Sequence, residues 1–281
     1  MTMLFRWMLS IGLILLTACS VPKPRPNIYD LNPDTSIIAL VLGEGMARSF
    51  AHVGVLKALE EESIPIHLIV GSGMGAFMAS LYANKKSAND MEWHAMALKR
   101  TTYLRFQFEN FLKTRLIHSK LEKLPIPTLL IATDLKTGER VILEEGAIIP
   151  AIEGCVAIPG FSRPQRYQDK ALVSSEISHG IPVDIAQSRG ADLIIAVDLT
   201  QGIERYGFRD TDDITLQSYK ITSKAHSERQ LKQAHIVIRP DMSGIDFLDF
   251  SQKRKAMLAG YEAAEKVMPE LKKILQLQED E

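Results

Sequence analysis

From residue 35 onward the chain alternates short apolar runs with longer stretches in which apolar residues recur every three or four positions. Ile37-Ile38-Ala39-Leu40-Val41-Leu42 is a continuous run of strand length that ends in a glycine turn, and a helical pattern follows over about residues 50–62. His67-Leu68-Ile69-Val70 predicts a second buried strand, with a helix of small and apolar residues behind it over 74–83. Residues 128–133, 193–197 and 235–238 read as further strands, each next to a helical stretch. Strands alternating with helices predict a largely parallel sheet covered on both faces. From Phe250 to about Gln276, Met257, Tyr261, Ala264, Met268, Leu271 and Leu275 recur at steps of four and three. That spacing is a core-facing stripe on a long helix, with its methionines there for packing.

The first residues follow a different pattern. Arg6 is the positive side chain of residues 1–6, residues 7–16 are an apolar run too short to span a bilayer, and small residues follow, as in a secretory signal. Leu16-Thr17-Ala18-Cys19 resembles the bacterial lipobox, which implies a lipoprotein signal peptide over 1–18 and lipidation of Cys19. A plain signal followed by an incidental cysteine is the alternative. Acylation by more than one chain gives stable anchoring. Ser20, where aspartate is the usual retention signal, implies outer-membrane sorting at the periplasmic face of a Gram-negative envelope. Pro22, Pro24, Pro26 and Pro33 make residues 19–35 an extended tether, which leaves 36–281 as one domain.

Composition narrows the chemistry. A net charge of −1 without blocks of like charge gives no nucleic-acid footprint, and an apolar fraction of 46% suits a globular core. The two cysteines are Cys19 and Cys155, with no C-x-x-C pair and no metal-ligand cluster, so neither a metal nor another cofactor is expected. With Cys19 lipidated, Cys155 has no thiol to pair with inside the chain.

Gly71-Ser72-Gly73-Met74-Gly75 has the outline of a nucleophile elbow, in which a buried strand enters a sharp turn and a helix starts immediately behind it. Glycine stands at the apex, where the motif G-x-S-x-G carries serine. Three stretches together resemble the patatin-like phospholipase family of lipid acyl hydrolases. They are Leu42-Gly43-Glu44-Gly45-Met46-Ala47-Arg48-Ser49-Phe50-Ala51-His52-Val53-Gly54-Val55-Leu56, the elbow over 68–76, and a set from Pro127 to Asp198. This last set includes Ile131-Ala132-Thr133-Asp134-Leu135, Ala157-Ile158-Pro159-Gly160 and Pro182-Val183-Asp184. The resemblance implies a three-layer α/β/α sandwich with a mostly parallel central sheet, and a Ser-Asp dyad that works without histidine.

Carried over residue by residue, the family nucleophile falls on Gly73 and the family aspartate on Ser174, with Ser175 and Glu176 replacing the two glycines that follow it. In the glycine-rich oxyanion turn the G-x-G-x-x-G positions are Glu44, Met46 and Ser49, while Gly43, Gly45 and Arg48 are kept. No acyl-enzyme can form on a glycine. Ser174 is no general base at neutral pH. Glu44 pointed at a developing oxyanion would oppose it by about 4 kcal/mol at ~4 Å and an effective dielectric of ~20, comparable to losing an oxyanion-hole donor.

Several side chains leave two readings open. Ser72 is a substitute nucleophile or a turn residue that bonds locally. Glu176 is a displaced base or part of a solvated loop. His52 and His179 are bases or structural residues. Arg48 binds an anionic head group at a helix start or pairs with a neighbouring carboxylate. Tyr103, Phe106, Phe108 and Phe111, interleaved with Lys99, Arg100, Arg105, Lys113 and Arg115, suit a bilayer interface or a core helix with basic rims. Asp134 and Asp198 read as structural. Two functions compete: a lipid-anchored patatin-like protein that no longer hydrolyses esters and binds a membrane lipid, an acyl chain or a protein partner, and an acyl hydrolase whose unorthodox site uses Ser72, Glu176 or His179.

Overall fold

The computed structural model describes residues 35–104, 108–202 and 210–276, so the expected signal peptide, Cys19 and the tether up to residue 34 lie outside the described residues. Eight strands form one sheet: β1 Ile38–Leu42, β2 Leu68–Ser72, β3 Thr128–Asp134, β4 Arg140–Leu143, β5 Gln165–Tyr167, β6 Lys170–Ser174, β7 Leu193–Val197 and β8 Ile236–Ile238. Their order is β5-β6-β3-β2-β1-β7-β8, with β4 paired to β3. From β3 to β8 every neighbour is parallel. At the other end β4 and β6 run antiparallel to β3, and β5 antiparallel to β6.

Nine helices surround the sheet among the described residues: α1 Ala51–Glu61, α2 Met74–Lys85, α3 Ala88–Ala97, α4 Arg100–Leu104, α5 Phe108–Lys113, α6 Ile148–Val156, α7 Val183–Ser188, α8 Thr211–Leu231 and α9 Lys253–Leu275. Every residue of β1, β2, β3 and β7 is buried, which is why these strands read as unbroken apolar runs. The two-residue period of a strand still sorts them. Ile38, Leu40 and Leu42 join the larger core with α1, α2, α6 and α9, while Ala39 and Val41 join a smaller one with Val183, Ile185 and Ala186 of α7. The fold is therefore the expected α/β/α sandwich with a mostly parallel central sheet. The sequence expectations do not include β4 or β5: Gln165-Arg166-Tyr167 carries no apolar run, and the apolar run of β4, Val141-Ile142-Leu143, is only three residues long and partly exposed.

The stripe on α9 packs as its spacing predicts. Met257, Ala264, Met268, Leu271 and Leu275 are buried, and the Tyr261 hydroxyl donates to Glu61 at 2.8 Å. α9 crosses α1 at two glycines. A Cβ on Gly54 would come within 2.7 Å of the Tyr261 nitrogen, and one on Gly260 within 2.7 Å of the Ala51 carbonyl carbon, so any side chain at either position would push the backbones apart. Phe108 and Phe111 of α5 are core residues with ring centroids 5.5 and 6.2 Å from Phe77, which removes both from an interfacial aromatic face. The Arg115 guanidinium lies 3.7 Å above the Phe111 ring, as the core-helix reading has it. Arg105 and Phe106 lie outside the described residues.

Candidate functional site

β1 and β2 pair in parallel with Leu42 opposite Gly71, so the turn after each strand leaves the sheet beside the other. After β2 the chain turns at Gly73, with φ 52° and ψ −135°, and α2 starts at Met74. An L side chain rarely takes this conformation, and it is the strained geometry of an elbow apex. The flanking glycines have reasons of their own. A Cβ on Gly71 would lie 2.6 Å from the Ala76 Cα, and one on Gly75 would lie 2.6 Å from the Gly43 oxygen.

The turn after β1 keeps glycine where neighbours crowd it. A Cβ on Gly43 would be 2.7 Å from Ile181, and one on Gly45 would be 2.7 Å from Leu199. Met46 keeps the left-handed backbone of a lost glycine, with φ 47°, while its side chain is buried in the core. A 3₁₀ turn over Met46–Phe50, which includes Ser49, leads into α1.

Glu44 joins the two turns. One carboxyl oxygen accepts the N–H groups of Gly45 at 2.9 Å and Met46 at 2.5 Å; the other accepts the N–H of Met74 at 2.7 Å. A Cβ built on Gly73 would overlap that second oxygen and lie 2.5 Å from the carboxyl carbon. The side chain thus fills the space of a nucleophile at the apex. It also takes up the backbone donors that an elbow and a glycine-rich turn aim at an oxyanion. The sequence suggested a charge repelling such an anion. The structure instead seats Glu44 itself in the anion's place.

Ser72 and Glu176 meet in the interior behind this point. The Ser72 hydroxyl donates to Glu176 Oε1 at 2.6 Å, and the Ser223 hydroxyl of α8 donates to Oε2 at 2.5 Å. Both expectations that favoured a bland role are corrected: Ser72 bonds to a residue 104 positions away instead of locally, and Glu176 is fully buried instead of sitting in a solvated loop. Burial alone would leave an ionised carboxylate there without water, so Glu176 needs two hydroxyl partners. Ser174 ends β6, with its N–H on the Ala157 oxygen at 2.9 Å and its hydroxyl 3.0 Å from the Tyr219 hydroxyl. Ser175 is buried, and its hydroxyl finds no partner among the described residues.

The two carboxyl groups repel each other. Burial, then the charge of Glu176, pushes Glu44 up to about 7 against the pull of its three backbone donors. Burial also raises Glu176, against the Ser223 and Ser72 hydroxyls. Backbone N–H groups only donate and so favour the charged form of Glu44, while burial disfavours charge on both carboxyl groups. The space beside Glu44, bordered by Tyr219, Ser223 and Phe247, amounts to about 20 Å³. That is room for about one water.

The other candidates resolve into supports. Arg48, 2% exposed, donates through Nε to the Ile245 oxygen at 2.9 Å and through Nη1 to the Gln201 oxygen at 2.9 Å, tying the loops after β7 and β8 to the oxyanion turn. The sequence offered an anion or a carboxylate as its partner; these bonds go to backbone carbonyls. His52 Nε2 lies 2.8 Å from the Gly43 oxygen, and burial pushes the ring down to about 4, which keeps it neutral as a structural donor. His179 bonds through Nδ1 to the Ser178 hydroxyl at 2.5 Å, itself 2.6 Å from Thr133. Among the described residues no hydrogen bond links His179 to Ser72 or Glu176. Asp134 accepts the Ala171 N–H at 3.1 Å and joins β3 to β6, and Asp198 accepts from Thr200 and pairs with Arg239 at 3.4 Å, both structural as expected. No group of three or more potential metal ligands occurs among the described residues. The sequence reading missed Tyr219 and Ser223. Their signal was spacing on α8, where Leu216, Tyr219, Ser223 and Ser227 form one buried face with little apolar character.

The sequence model of the patatin-like phospholipase family matches residues 40–186, a span that includes the oxyanion turn, the elbow and the strand ending at Ser174. An uncharacterized NTE family protein of Mycobacterium bovis is 32% identical over 189 residues, 62% of this chain and 52% of that protein. Patatin-like phospholipase domain-containing protein 6 of Homo sapiens is 30% identical over 181 residues, 58% of this chain and 13% of that protein. This chain therefore spans about half the length of the mycobacterial relative and a much smaller share of the human one. Among solved structures, VipD from Legionella pneumophila has a TM-score of 0.48 at 12% identity, covering 84% of this chain and 67% of that one. With its family match running through both turns and the strand beyond them, the chain belongs to the patatin-like phospholipase family.

Proposed function

We propose that this protein is a patatin-fold lipoprotein, anchored in the bacterial envelope through Cys19, that does not hydrolyse esters and uses the retained fold to bind a membrane lipid or a protein partner. The observation that carries this reading is the Glu44 carboxyl seated on the Gly45, Met46 and Met74 N–H groups, in the volume a side chain at position 73 would need. Acyl transfer needs a nucleophile, a base and free oxyanion donors. Gly73 offers no nucleophilic atom, Ser174 no carboxylate, and the donors are already engaged. A void of about 20 Å³ admits no acyl chain, so a lipid or partner would bind elsewhere on the surface or displace Glu44 first.

The test uses the full-length protein with a chromogenic fatty-acyl ester and a fluorophosphonate probe. No turnover above background and no covalent label are expected. A second reading rests on the 2.6 Å bond from Ser72 to Glu176, which has the form of a hydroxyl next to a base. Full burial and a Glu176 pushed toward its neutral form weaken both roles. Labelling that disappears in Ser72→Ala would establish the second reading and overturn the first.

A further inference from the structure

Glu44 differs from an ordinary buried acid in what surrounds it. Its carboxyl takes three backbone N–H groups from two separate turns, and the Met74 donor opens a helix of 12 residues whose dipole favours an anion. Met46 holds a left-handed backbone that positions one of those donors, although a methionine gains nothing from that conformation. The cradle is thus built for a carboxylate independently of the side chain that now reaches it. Glu44 is adjacent to the cradle in sequence, and the small space beside its side chain is bordered by Tyr219, Ser223 and Phe247.

We propose that the amides of Gly45, Met46 and Met74 form a carboxylate-binding site and that Glu44 is its tethered ligand, an autoinhibitory contact that excludes small carboxylates from solution. This rests on reading the site as closed in the native chain. Truncating Glu44 to alanine removes the γ-carbon and the carboxyl group, the same heavy atoms as acetate. The vacated space therefore matches acetate or formate in size and charge, and it is too small for a branched acid such as pivalate.

The experiment compares thermal unfolding of full-length Glu44→Ala and the native protein in acetate, pivalate and chloride at matched ionic strength and neutral pH. Acetate is expected to raise the Tm of Glu44→Ala above its value in chloride by about 2 °C or more, because a ligand bound only to the folded state stabilises it. Pivalate should match chloride, and the native protein should not distinguish the three salts. Equal behaviour of Glu44→Ala in acetate and chloride, an equal gain with pivalate, or an equal acetate gain in the native protein would each overturn the proposal. If Glu44→Ala is recovered only unfolded, its refolding yield from urea reads the same contrast: a higher yield in acetate supports the site, and equal yields overturn it. None of these readouts involves turnover, so ester hydrolysis by the native protein would defeat the functional reading without deciding this one.

Discussion

A side chain at position 73 and the carboxyl of residue 44 compete for one volume, so the two positions are coupled. Gly73→Ser introduces an overlap and forces a non-glycine residue into φ 52°; overpacking of this kind costs about 1–3 kcal/mol, and the backbone strain a similar amount. Urea unfolding should show Gly73→Ser clearly destabilised, and Glu44→Gly should recover at least ~1 kcal/mol of that loss in the double variant. Restoring function has the same order of events: Gly73→Ser with Ser174→Asp gains ester hydrolysis only when Glu44→Gly is present. No hydrolysis by the triple variant would mean that the cavity itself has closed. The carboxyl pair also makes stability depend on pH. Glu44 is raised from the ordinary 4.5 to about 7, so folding favours its protonated form. The stability this supplies is full below about 4.5 and is lost as pH rises through 7. His52, lowered from 6.5 to about 4, acts in the opposite sense, with stability present above 6.5 and lost as pH falls through 4. His94 and His179, also lowered from 6.5 by burial, act in the same sense as His52, so the histidines oppose the carboxyl pair below about 6.5 and the pair dominates above it. The native protein should lose about 1 kcal/mol of stability from pH 6.5 to 8. Glu44→Gln should flatten that slope to the contribution of Glu176 while lowering stability throughout, because an amide NH₂ would face a backbone donor.

The α1–α9 crossing shows how one element depends on another's backbone. Alanine at Gly260 would gain about 1 kcal/mol of helix propensity, but its Cβ would press on the Ala51 carbonyl, a backbone group that cannot rotate away. Crowding outweighs propensity, so Gly260→Ala should destabilise by about 1–3 kcal/mol in urea unfolding, and Gly54→Ala likewise. At this scale much of the fold was legible from the chain. β1, β2, β3 and β7 announce themselves because both faces are buried and no polar position interrupts the run. β5 does not, since Arg166 points to solvent and only three residues pair. α8 hides its buried face, because serine, lysine and tyrosine occupy the inward positions in place of leucine. Ser72 and Glu176 illustrate the limit of local reasoning. A serine in a turn suggests a local bond, yet this one reaches 104 residues along the chain, and only the sheet order brings the two together.

For the molecule as a whole, the sequence carried the architecture and the glycine at the apex of the elbow, but not what fills the space beside that glycine. Substitutions at positions 44, 73 and 174 are visible one by one; that the first fills the vacancy of the second follows from the parallel pairing of β1 with β2. Attachment belongs to this scale too. The proposed anchoring predicts that in a bacterial host Cys19→Ala moves the protein from the membrane fraction to the soluble one and abolishes palmitate labelling, since stable anchoring takes more than one acyl chain. Retention in the membrane would point to binding by the folded domain itself. The shared carboxyl of Glu44 has one more effect. Three amide hydrogens from two turns end on it, so water reaches any of them only when that side chain swings out. Their exchange with deuterium should therefore be a single correlated event, and the rate of that event is how often the two turns open to solvent.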